Sequence, residues 1–418
     1  MMVADPKKNA TDERLASLTL PQESGWLGSA RQNALARVKA TGLPGRRDEY
    51  WRYTNPAALV QADPGTTVGT PQADPFDAIE AVVIMVEDDR VTLTEDLPEG
   101  LEIMRLSDAG KADIHWARDI YGVLEMRGSG PVPRPLAMLN TAFATDGVVI
   151  RATGKIARPV HIRTVGKGDL ILHHVVRVEA GASLTLLKSG TSGARANTVT
   201  EVDIGEGGAL HHLRIQGPDH HRHVNTHVFV RQAAETTFKS FTLSANGQMT
   251  RNEAVIELTG DNAVSTTACA AFGKGDFHHD DTVFVTHDAV NCQSRQVFKK
   301  VLRDGATGVF QGKILVKEGA QKTDGYQISQ ALLLDDDSQF LAKPELEIYA
   351  DDVACSHGST TGAIDETALF YLRSRGVPKR VATDLLVLSF LAEAVEEIED
   401  DGLREHVGAC LADWLSQG

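Results

Sequence analysis

The chain has 418 residues, of which 42% are hydrophobic and 24% charged, with a formal net charge of −15. That length supplies core for two or three domains, and the charge argues against nucleic-acid phosphates as a partner while favouring solubility or a basic protein surface. No apolar run reaches the ~18–20 residues that span a bilayer, the opening MMVADPKKNATDERLA holds no apolar signal core, and Cys269, Cys292, Cys355 and Cys410 form no CxxC pair, so free thiols in a reducing cytoplasm are expected.

Residues 10–42 carry Leu and Ala at helical spacing, ending in a Gly-Leu-Pro-Gly stop. DEYWRYTNPAAL (48–59) packs three aromatics into four positions, which predicts a plug docking the N-terminal helices onto the body. AVVIMVEDDRVTL and GLEIMRLSDA read as strands, and DIHWARDIYGVLE as a helix.

From about residue 135 to 350, helical periodicity gives way to short β-branched runs bounded by Gly, Asp and Asn turns. Small-residue turns recur at Gly181, Gly208, Ala234 and Asn262, a spacing of roughly 26–28 residues that fits solenoid coils. The expected architecture is mainly β: a right-handed parallel β-helix flanked by N-terminal and C-terminal helical regions. The units are 1–134, a helical and small α/β region; 135–355, the β-helix; and 356–418, a helical domain.

After residue 363 the 3.6-residue period returns. Asp365 is placed to cap a helix that Gly376 stops. A second helix begins near Pro378, with Val381, Leu385, Leu388, Leu391 and Val395 on one face, widened by Leu386, Val387 and Phe390. A third sets Val407, Cys410, Leu411 and Trp414 on one side. These apolar faces either cap the open end of the solenoid or meet a partner.

Two histidine-rich stretches invite a metal reading. One holds His211, His212, His220, His221, His223 and His227 but straddles a Gly-Pro turn, and a solvated sheet face is the plainer explanation. The other sets His278, His279, Asp280 and Asp281 at an expected turn. No GxxxxGK[ST], strand-to-helix GxGxxG or GxSxG is present, so the chain is not expected to hydrolyse ATP or to act as a serine hydrolase. No carboxylate set lines a groove, which speaks against a polysaccharide-cleaving β-helix.

DDVACSHGSTTG (351–362) remains. In an extended chain Cys355 and His357 share a face. Thiolate and imidazole suit iron or zinc, but two ligands do not close a site; Asp351 and Asp352 are weaker candidates. A Cys–His nucleophile and a buried thiol beside a solvated histidine stay open on spacing alone.

The ordered series KTD (322–324), LLL (332–334), KPELEI (343–348), ADDVACSHG (350–358) and FYLRSRG (370–376), with EYWRYT near the N-terminus, resembles the SufB/SufD family of iron–sulfur cluster assembly proteins over roughly residues 135–400. The CSHG form and the short N-terminal region resemble its SufD branch. The resemblance implies a non-enzymatic scaffold subunit. Its β-helix would pair with SufB, and its C-terminal helices would dock the ABC-type ATPase SufC, with Leu369, Phe370, Leu385, Leu388, Phe390 and Leu391 as docking residues. It implies a transient iron–sulfur cluster or iron at the SufB interface, with His357 as ligand and Cys355 as an interface thiol. Sulfur would come from a cysteine desulfurase acting on SufB, and the complex is associated with reduced FAD, for which no residue here marks a site. A SufB-like or homodimeric scaffold holding cluster itself is the alternative within the family; a polysaccharide-active β-helix and a mononuclear metal enzyme are the alternatives outside it.

Overall fold

The structure, a computed structural model, describes residues 6–22, 25–65, 73–88, 90–191, 193–217 and 221–417. From Val148 to Gly362 successive strands alternate between two parallel sheets, so that each pair of strands makes one coil of a β-solenoid of about seven turns. The ten-stranded sheet ends on Val353–Gly362 and the nine-stranded sheet on Gln339–Ile348. At the other end, Val82–Glu87 joins the first sheet parallel to Val160–Val165, and Leu101–Arg105 joins the second antiparallel to Val148–Ala152.

The repeat is set by turns with left-handed backbone. Gly181, Gly207, Glu235, Asn262, Asn291 and Lys322 all have positive φ, one per coil. Each donates its N–H to a carbonyl in the next coil, from Gly181→Glu206 through Asn291→Gln321. The sequence spacing of 26–28 residues holds for the early coils: Ser183 stands over Ala209, Ala209 over Thr237. It then lengthens, with Val264 over Gln293 and Gln293 over Asp324. Gly fits the left-handed position without Cβ strain, and Asn tolerates it.

Alternation along the strands separates the two faces. Inward residues of the first coils are apolar, among them Leu172, Val176, Leu184 and Val202, all buried. The outer face of the nine-stranded sheet is covered by the N-terminal region, where Gly25–Thr41 packs on Pro135–Phe143. The aromatic plug is seen directly: Tyr50 lies 5.0 Å edge-on to Phe284, and the Arg251 guanidinium stacks 4.3 Å from the Trp51 ring. DIHWARDIYGVLE is not one helix. It breaks into a 3₁₀ turn at Trp116–Asp119 and a helix at Val123–Gly128, separated by left-handed Gly122.

The C-terminal helices correct the capping expectation. Lys379–Val395 and Asp401–Gln417 lie along the outer face of the ten-stranded sheet, not across its end. Val387, Leu391, Val407 and Leu411 are buried there against Phe241, Ala268 and Val297, each worth ~1.5–3 kcal/mol relative to exposure. Glu366–Ser374 buries no residue; its N-terminus is held by the Asp365 carboxylate accepting from Thr367 and Ala368 N–H, and Gly376 ends it at φ 86°.

Candidate functional site at the open end of the solenoid

Among the described residues no strand pairs with the far edge of Gln339–Ile348 or Val353–Gly362. Both are ten-residue strands whose outer edges leave backbone N–H and C=O groups unpaired, a template for another chain unless covered. On the last strand Val353 and Cys355 turn inward onto Ile314, Val316 and Ala350. His357 and Ser359 follow on the same face, and Ser359 Oγ lies 2.6 Å from Ser329 Oγ. His357 is nonetheless exposed, because no further coil covers it.

The floor beneath the pair is built by the preceding coil. Cys355 stands over Gly325 and His357 over Gln327. The Cys355 sulfur takes the space a side chain at Gly325 would need: a Cβ there would sit 3.1 Å from Sγ. Gln327 is fully buried, and its Nε2 donates to Gln296 Oε1 at 2.8 Å. Two residues of extended chain set the Cβ atoms of Cys355 and His357 roughly 6.6 Å apart.

Partial burial pushes the Cys355 thiol up, the nearby Asp324 charge adds to this, and the Gly325 N–H opposes it. The isolated chain therefore presents a thiol rather than a thiolate, which does not suit a Cys–His nucleophile. A cation at the open end would reverse this. Asp351 and Asp352 lie in the exposed turn before the strand, away from the inward face.

The histidine stretches disperse. His211 reaches Glu399 at 3.3 Å on the C-terminal helices, His212 is buried inside the solenoid beside Ser240, and His227 lies 3.5 Å from Glu253 on the opposite outer face. His221 is exposed and His223 half-buried, as a solvated face requires, whereas His212 and His227 are buried; His220 lies outside the described residues. His278–Asp281 is not a turn but the start of strand His278–His287. His278 faces out to Thr54 at 3.0 Å, with Asp280 held by Arg251. His279 and Asp281 face the interior, where Cys269, which the sequence did not single out, comes from the other sheet.

The docking set divides. Phe370 (72% exposed) and Leu385 (46%) are open, and Leu369 is half-buried. Leu388 and half-buried Phe390 pack inward, Phe390 under the Lys299 ammonium at 4.7 Å. Leu391 is fully buried and belongs to the core rather than to any docking face. Tyr371 and Val381, not in the expected set, are exposed beside Phe370 and Leu385.

The fold is thus an open-ended parallel solenoid that carries a thiol and an imidazole two residues apart on its last strand. The chain belongs to the SufBD family of iron–sulfur cluster assembly proteins. Residues 162–390 match the SufBD core domain of the SUF system for FeS cluster assembly, and residues 16–162 match the SufBD N-terminal region. It is 29% identical to the iron–sulfur cluster assembly protein SufD of Escherichia coli over 412 residues, covering 93% of each chain. It is 24% identical to SufD of Bacillus subtilis, covering 92% of this chain and 93% of that one. It is 25% identical to a chloroplastic protein of Arabidopsis thaliana, ABCI7, covering 94% and 87%. Among the described residues no helix is long and apolar enough to cross a membrane.

Proposed function

We propose that this chain is the SufD-type subunit of a cytoplasmic scaffold complex on which iron–sulfur clusters are built. One observation carries the reading: Cys355 and His357 lie on the inward face of the last strand of a solenoid whose next coil is missing among the described residues. A SufB-like solenoid presenting its own last strands would continue both sheets, satisfy the exposed backbone groups and close over the pair. Iron or nascent cluster is then cargo held between two chains, His357 supplying an imidazole and Cys355 a thiolate once a cation is near. This accounts for a two-ligand set on one chain. The SufC-like ATPase would sit on Leu369, Phe370, Tyr371, Val381 and Leu385, an apolar face shared by Glu366–Ser374, which buries no residue, and the start of Lys379–Val395. ATP chemistry then belongs to that partner, in keeping with the absence of a phosphate-binding loop from this sequence.

Thiol labelling at Cys355 tests the pairing. The lone chain should react at a measurable rate through its half-exposed sulfur, and addition of a SufB-like partner should slow that reaction while Cys410, on the flank, stays unchanged. Equal Cys355 rates with and without the partner would sink the interface. Protection at high concentration of this chain alone would assign the same edge to a second copy.

A further inference from the structure

Inside the solenoid, three coils from the open end, Cys269, His279 and Asp281 each offer a ligand atom, and these atoms lie within 4.8 Å of one another. All three residues are at most 2% exposed. Cys269 comes from strand Val264–Lys274 of one sheet; His279 and Asp281 come from His278–His287 of the other, two residues apart and therefore on one face. The geometry points to a second, internal site: we propose that Cys269, His279 and Asp281 bind a single borderline divalent cation of the Fe2+, Co2+ or Zn2+ type.

Three features support it. The ligand set is thiol, imidazole and carboxylate, a mixture that suits these ions and not Mg2+ or Ca2+. A positive charge already occupies the place: the fully buried Lys300 ammonium donates to His279 Nδ1 at 2.8 Å and to Asp281 Oδ2 at 2.7 Å. Because Lys300 donates to Nδ1, that nitrogen is unprotonated, and the lone pair now held by the ammonium is the one an ion would take. Finally, a cavity of about 30 Å³ adjoins the cluster, lined in part by Cys269, Asp281, Asn252, Thr267 and Arg214, with room for an ion of water size. Without an ion, the Lys300 ammonium holds Asp281 and His279 together; the thiol, brought from the other sheet, completes a ligand set.

Binding contracts the ligand atoms, now within 4.8 Å of one another, to metal-bond lengths of ~2.0–2.3 Å. On binding, the Cys269 sulfur loses its proton to solvent. The Lys300 ammonium must leave the ligand lone pairs, losing a proton or turning aside. Thiolate and carboxylate then balance the ion's double charge around a neutral imidazole.

The probe is CoCl2 added anaerobically to the full chain, either equilibrated to completion or present during refolding from urea, since entry needs a coil to open. The expected result is one Co2+ per chain with a sulfur-to-cobalt charge-transfer band. The band should persist in the Cys355→Ser/His357→Ala chain, which removes the open-end pair, and vanish in Cys269→Ser. Lys300→Met, which removes the competing ammonium, should tighten Co2+ by at least about tenfold and make the variant's Tm rise with added ion. No band from the wild-type chain, or a band that follows Cys355 instead of Cys269, would overturn the site. So would a folded Lys300→Met chain whose Tm ignores Co2+, which would leave an ion pair only. A site that binds Co2+ while the open-end pair fails, or the reverse, separates this inference from the proposed function.

Discussion

Gly312→Ala perturbs the floor of the open end without touching its ligands. A Cβ at Gly312 would sit 2.3 Å from Gln327 Nε2 and 2.6 Å from its Cδ, so the whole amide would have to move. That amide is fully buried, bonded to Gln296, and lies directly under His357. Forcing a methyl into packed space costs ~1–3 kcal/mol, and leaving the Gln296 acceptor buried without its donor costs ~1–3 kcal/mol. We therefore expect destabilisation of about 2–6 kcal/mol, read as a shift of the urea midpoint by circular dichroism. Gln327→Ala should relieve the clash, so the Gly312→Ala/Gln327→Ala chain should be more stable than the two single losses add up to, by about 1–3 kcal/mol. A single-variant loss under ~0.5 kcal/mol, within the usual range of surface changes, or strict additivity of the two, would refute the packing described here.

Three further outcomes follow from particular residues. Phe370→Ser with Leu385→Ser should abolish binding of a SufC-like partner while leaving the thermal midpoint near wild type, since both side chains are exposed; unchanged binding in a pull-down would remove the docking face. Deletion of 378–418 is the poorer test, because it would strip Leu391 and Leu411 from the core. Burial lowers the His287 imidazole from 6.5 to about 4, so the unfolded chain binds the proton more readily. Stability from this group is complete above about pH 6.5 and is lost as pH falls toward 4, by about 3 kcal/mol; buried His174, His212 and His279, also lowered by desolvation, act in the same sense. A urea midpoint that stays flat from pH 7 to 5 would contradict this. Asp365→Ala, which removes the acceptor for Thr367 and Ala368 N–H, should cost ~1 kcal/mol locally, seen as faster amide exchange in 366–374; unchanged exchange would show that the cap does not hold that helix.

The solenoid was legible where its turns used Gly or Asn, as at Gly181 and Asn262. It was less so at Lys322, where the left-handed residue is neither Gly nor Asn and the repeat has stretched past 29 residues. Helix positions were readable from spacing; which apolar side chains face inward was not. The helix Lys379–Val395 is apolar on more than one side, and only the sheet residues opposite it, Phe241 and Val297, decide that Leu391 is buried and Leu385 is not. HHDD read as a turn because four polar residues in a row fit no amphipathic strand. The structure pairs both, the outward half-buried His278 and buried Asp280 with Thr54 and Arg251, the buried inward pair with Lys300. Cys269 carried no local signal at all, since its neighbours come from the other sheet. The Cys355–His357 pair was legible as a same-face pair, and its placement on an unpaired final strand is what the fold adds.

The central claim is that His357 and Cys355 are half of a cluster-building site completed by a second chain. It is tested most directly by measuring iron and acid-labile sulfide on the chain alone and on its complex with SufB-like and SufC-like partners after anaerobic reconstitution, with wild-type and His357→Ala chains in parallel. In samples depleted of internally bound metal, the account predicts a colourless lone chain, a cluster-bearing wild-type complex, and a His357→Ala complex of unchanged composition with cluster strongly reduced. Equal cluster on the wild-type and His357→Ala complexes would contradict it.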